Sequence, residues 1–135
     1  MKTLALLISM SLSLATVSAT PGTLEPAAGT NVKPPSIIFN FVHAHRQGSG
    51  ITVAWSSTVN NTVVSSFTVM RTYEDPNDPY AVWDVVNMVP CNNGRNYRST
   101  DLSVSPGTIS YVVVANLTGG GNEVSEIRTV RIVQR

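Results

Sequence analysis

The sequence is poor in charge, cysteine and aromatic rings. Only 13% of its 135 residues are Asp, Glu, Lys or Arg, and nine cations nearly balance eight anions. Phosphate backbones and anionic lipid surfaces select for an excess of Lys and Arg. That balance argues against nucleic acid as a partner and against a polybasic membrane attachment. The single cysteine, Cys91, cannot close an internal disulfide. It is either a small buried side chain or the candidate for a link between two chains, so stability must come from packing. No Gly-x-Ser-x-Gly elbow is present to activate a serine. Gly119–Gly121 reads as a hairpin turn, because no helix follows to cradle a phosphate. No cofactor is expected.

What is present begins with an apolar leader. Met1-Lys2 gives a positive start, and Leu4 to Leu14 forms an apolar run. That run has about 11 residues, short of the roughly 20 that cross a bilayer. Val17-Ser18-Ala19 then supplies small residues for a signal peptidase. Residues 1–19 therefore read as a secretory signal peptide cut after Ala19. The expected location is outside the cell, and no later run is long enough to span a membrane. Losing Lys2 brings the mature chain to neutrality. Residues 20–35, "TPGTLEPAAGTNVKPP", are rich in Pro, Gly, Ala and Thr and read as a flexible linker. Residues 36–135 have the length of one domain.

That domain alternates short β-type segments with turn residues. Segments Ser36–His43, Ile51–Ser57, Val63–Tyr73, Tyr80–Met88, Arg95–Leu102, Thr108–Leu117 and Glu123–Val133 are divided by "QGSG", "VNN", "EDPNDP", "PCNNG", "SPG" and "TGGGN". Side chains alternate between faces along a strand. Ile51, Val53 and Trp55 thus share one face, as do Phe67 and Val69, and Tyr111, Val113 and Ala115. Seven such segments predict an all-β, seven-stranded antiparallel sandwich that buries these faces against each other. Periodicity favours Trp55 in the core over an exposed stacking surface.

Three groups could carry chemistry. His43 and His45 lie two apart on a strand, so both imidazoles face one side. Zinc needs three or four ligands, and nothing nearby in sequence completes the set. Glu74, Asp75, Asn77 and Asp78 offer oxygens for calcium, but prolines interrupt the loop and no glycine or closing glutamate follows. A solvated turn is the expectation. Tyr73, Tyr80, Trp83 and Tyr97 could stack on sugar rings if they share an outer face, with Tyr80 and Trp83 the leading candidates for binding. Asn60-Asn61-Thr62 and Asn116-Leu117-Thr118 match glycosylation acceptors.

The order of these pieces resembles the fibronectin type III family. "ITVAW" resembles its second strand, with the family's core tryptophan at Trp55. "FTVMR" resembles the third strand, and "SPGTISYVVVANLTGGGNEVSE" the sixth strand, turn and seventh strand. The resemblance runs from about Pro34 to Val133. It implies an immunoglobulin-like sandwich with Trp55 between the sheets. It departs from the family where a tyrosine closely follows the "PGT" turn and bonds back to the chain. Ile109 stands there, and Tyr111 comes two residues later. No Arg-Gly-Asp is present, so the cell-adhesion activity of some relatives does not transfer.

Together these readings predict a secreted, monomeric, non-catalytic module, structural or protein-recognising, with an extracellular protein or polysaccharide as partner. The alternative is a carbohydrate-binding module accessory to extracellular polysaccharide processing.

Overall fold

The computed structural model describes residues 36–134. The signal peptide expected over 1–19 and the linker expected over 20–35 lie outside them. The described chain runs β1 (Phe39–Gln47), β2 (Gly50–Ser57), β3 (Val64–Thr72), β4 (Asp84–Pro90), β5 (Asn96–Asp101), β6 (Gly107–Leu117), β7 (Asn122–Val124) and β8 (Arg128–Ile132). β1, β2 and β5 form one antiparallel sheet in that order. The other has the order β4-β3-β6, with β7 and β8 both paired to β6.

Among the described residues the strand count is eight, not seven. The predicted strand Glu123–Val133 divides around Ser125. The Ser125 N–H donates to the Val113 carbonyl at 2.8 Å, and the Val113 N–H donates to Ser125 Oγ at 2.9 Å. A side-chain oxygen thus takes the place of a ladder carbonyl. The chain leaves the sheet there and rejoins at Arg128 opposite Tyr111.

Two other boundaries move for local reasons. β4 starts at Asp84 rather than Tyr80. Successive turns, Asp78 N–H to Asp75 O and Ala81 N–H to Asp78 O, occupy the two-proline stretch before it. β1 continues through His43 and His45 to Gln47, which pairs with Gly50. Gly48, at φ 60°, makes the tight turn between them. Gly50 is required by space, since a Cβ there would stand 2.7 Å from the Asp101 carbonyl.

The facing sides of the sheets close on an apolar interior. Ile51, Val53, Trp55, Phe67, Val69, Ile109, Tyr111, Val113 and Ala115 are all fully buried. Each large apolar side chain so placed contributes about 1.5–3 kcal/mol. Trp55 is 0% exposed. Its ring lies 5.8 Å from Tyr97, nearly parallel at 13°, and meets Phe67 edge-on at 5.5 Å. The indole is a core anchor, and it joins the two sheets through Phe67 on β3.

Candidate functional site

The residues singled out for chemistry scatter when the strands assemble. Tyr97 is buried against Trp55 and Phe67. Its hydroxyl donates to the Gly94 carbonyl at 2.9 Å. Tyr73 is exposed, with its hydroxyl accepting the Ser105 N–H at 2.9 Å. Tyr80 is 88% exposed in the turn before β4, and Trp83 is half-buried three residues on. The four rings therefore share no outer face. Cys91 is half-buried against the core, with Sγ 3.4 Å from the Tyr97 hydroxyl. Burial, with the Cys91 contact second, raises the pKa of the Tyr97 phenol.

The metal-type constellations resolve as turns and surface. His43 and His45 are exposed on β1, and no group of three His, Cys, Asp or Glu stands together among the described residues. Asp75 Oδ1 accepts the Asn77 N–H, Asp78 Oδ1 the Tyr80 N–H, and Glu74 Oε2 the Val82 N–H. These carboxylates satisfy the backbone of their own loop.

One titratable cluster is enclosed. Arg71 on β3 reaches across the sandwich to Asp101 on β5, with Nη1 at 2.7 Å from both carboxylate oxygens. The Tyr111 hydroxyl on β6 donates to Asp101 Oδ2 at 2.9 Å, and the Ser103 N–H donates to Oδ1. Burial first, and the Asp101 carboxylate second, push the Tyr111 phenol well above its ordinary value. This is how the corner after the "PGT" turn is held. The hydroxyl finds a carboxylate on the opposite sheet rather than a nearby backbone group. Asp101 is only 3% exposed, and the cluster ties the two sheets together.

The outer faces are what remain open. On the sheet containing β6, the register sets Met88 beside Thr68, Thr68 beside Val114, and Val114 beside Val124. The next row sets Val85 beside Met70 and Met70 beside Val112. Val85 is 62% and Met88 60% exposed. Val85 and Met88 on β4 and Val124 on β7 are thus exposed apolar side chains flanking half-buried Met70 and Val114, with Thr68 and Val112 buried between them. On the other sheet, the rows are Phe41–Ser56–Asn96 and His43–Ala54–Arg98. Phe41, Ala54, Asn96 and Arg98 of these rows, with Trp55 and Tyr97, line a shallow cavity of about 260 Å³. A second depression of about 350 Å³ lies between the Thr58–Val63 and Asn93–Arg95 loops.

Sequence reasoning missed both faces. The available signal was "YVVVA" in β6, where Val112 and Val114 repeat the apolar character on the outward parity.

No family model matches the chain, and no curated protein matches it either. Among solved structures, a pectate lyase from Erwinia chrysanthemi in complex with tetragalacturonic acid is similar over 65% of this chain. The TM-score is 0.52 and the identity 16%. A pectate lyase from Pectobacterium carotovorum is similar over 69%, with TM-score 0.53 and identity 15%. The match occupies 27% and 26% of those lyases, so the chain spans about a quarter of their length. An Fn3-like protein from Clostridium thermocellum matches 73% of this chain and 94% of its own, at TM-score 0.48 and 18% identity. At such identities the likeness is one of fold. The order β1-β2-β5 against β4-β3-β6 makes that fold a fibronectin type III-like sandwich of two antiparallel sheets.

Proposed function

We infer that the chain is a secreted, non-catalytic recognition module that docks a larger extracellular protein through the apolar outer face of the β4-β3-β6 sheet. The carrying observation is that face, where Val85, Met88 and Val124 are exposed around half-buried Met70 and Val114. Contiguous apolar patches on a soluble surface mark interaction sites. A methionine-bearing face also adapts its shape to a partner. The size of the partner is argued from proportion: in the similar lyases, this fold is a minor part of a much longer chain. The enclosed position of Arg71, Asp101 and Tyr111 supports a non-catalytic role, since the best-connected ionisable groups are spent on joining the sheets. The leader over residues 1–19 supports export.

The test is affinity capture from culture supernatant with wild type and with Met88→Glu. A stoichiometric partner retained by wild type and lost by the variant, with unfolding midpoints unchanged, is the expected result. Equal capture by both forms removes the docking face. Hydrolysis of a polysaccharide or peptide panel, abolished by one Asp or Glu substitution, overturns the non-catalytic assignment.

A further inference from the structure

The outer face of the β1-β2-β5 sheet is a trough with two unlike walls. Its floor is β2, where Ala54 offers only a methyl group between His43 on β1 and Arg98 on β5. One wall is aromatic: the rings of Phe41 and His43 stack at 5.0 Å and 27°. The other is polar, formed by Asn96 and Arg98, both exposed. β1 and β5 are two strand spacings apart, about 9–10 Å. That width admits one sugar ring lying on the floor against the Phe41 wall. The cavity, about 260 Å³, is small beside sites that enclose whole drug-sized ligands. It suits one unit of a chain that continues along the sheet.

Charge narrows the ligand. Arg98 belongs to neither ion pair found among the described residues. The outward positions Phe41, His43, His45, Thr52, Ala54, Ser56, Asn96, Arg98 and Thr100 include no Asp or Glu. A guanidinium without a local carboxylate is suited to binding one in two-pronged geometry. An aromatic face beside it takes the apolar side of a flat ring. One free guanidinium is too little for a phosphate backbone. A neutral glycan would cover Arg98 and leave it unpaired, which selects against it.

We propose that this trough binds the uronate units of an acidic polysaccharide. Phe41 takes the apolar face of a sugar ring, Arg98 its carboxylate, and Asn96 a ring hydroxyl. The site is independent of the docking face on the opposite sheet and stands or falls without it.

The purified chain is run by affinity electrophoresis, at physiological ionic strength, in gels containing polygalacturonate, alginate, fully methyl-esterified pectin or polyglutamate. Retardation by polygalacturonate or alginate is expected, and the stronger of the two identifies the uronate. Arg98→Ala should weaken it about tenfold, the scale of one charge-assisted pair, without moving the unfolding midpoint. Phe41→Ala should weaken it severalfold. If that variant unfolds, Phe41→Leu keeps the apolar volume and removes only the ring. Met88→Glu should leave retardation unchanged. Equal retardation by the methyl ester overturns the proposal, as does a polyglutamate effect matching the uronates. Indifference to Arg98→Ala, or no retardation by either uronate, also overturns it.

Discussion

The two ends of the interior solve the problem of joining two sheets with opposite chemistry. At one end, Trp55 and Tyr97 of the smaller sheet meet Phe67 of the larger through ring contacts alone. At the other, Asp101 of the smaller sheet meets Arg71 and Tyr111 of the larger through charge-assisted hydrogen bonds. Each solution leaves one loose thread, because the Trp55 Nε1–H and the Arg71 Nε–H are buried without a hydrogen-bond partner. Rings tolerate imperfect geometry, since dispersion and burial depend weakly on angle. A buried ion pair does not, because each charge relies on the other to offset its lost hydration. The aromatic end is therefore where stability accumulates, and the ionic end is where registration between the sheets is set.

Removing one group from each end tests that division. Trp55→Ala should cost about 3–5 kcal/mol, a large share of the roughly 5–15 kcal/mol that holds a domain folded, and should lower the urea midpoint steeply. A variant whose midpoint barely moves would mean the aromatic end is not the anchor. Asp101→Ala should cost about 3–5 kcal/mol, because Arg71 is then left charged and unpaired. The sharper reading comes from Arg71→Met combined with Asp101→Ala. If the ionic end supplies registration more than stability, the double variant recovers a large part of that loss in urea midpoint.

Tyr111→Phe should cost about 1.5–3 kcal/mol, the value of one hydrogen bond to a charged acceptor. It also carries a pH signature. The Tyr111 phenol is raised in the folded chain, chiefly by burial and then by Asp101. Its contribution is complete below about pH 10, where the unfolded tyrosine begins to ionise, and fades as pH climbs beyond that. Thermal midpoints should fall between pH 9 and 11 in wild type and fall less in Tyr111→Phe. Tyr97 is raised in the same direction, so some slope remains. The smallest effect belongs to Cys91→Ser. Its half-buried thiol packs on the edge of the core and meets the Tyr97 hydroxyl, and a loss of about 1 kcal/mol or less is expected. Non-reducing electrophoresis of wild type should show a monomer.

Much of this arrangement could be read before any strand was placed. Alternation assigned Ile51, Val53 and Trp55 to one face, and all three are fully buried. Turn residues marked nearly every loop. What alternation cannot encode is a hydroxyl that substitutes for a carbonyl, so the break at Ser125 was invisible. Nor can it reveal which carboxylate a tyrosine will reach when the two come from opposite sheets. The partner of Tyr111 emerged only once β5 lay across from β6. The outer faces were obscured for a related reason. Val112 and Val114 look like core residues, and Ala54 looks incidental until Phe41 and Arg98 stand on either side of it.

The interleaving of the strands has a kinetic consequence. β2 and β3 are neighbours in sequence yet sit in different sheets, and β5 must cross back to β2 before the smaller sheet is complete. No contiguous stretch can finish a layer alone, so closure waits on contacts between distant segments. Chains built this way reach their native state in milliseconds to seconds rather than microseconds. A β6 not yet paired with β3 and β8 carries apolar residues on both parities, and unpaired apolar strands of this kind are prone to aggregate.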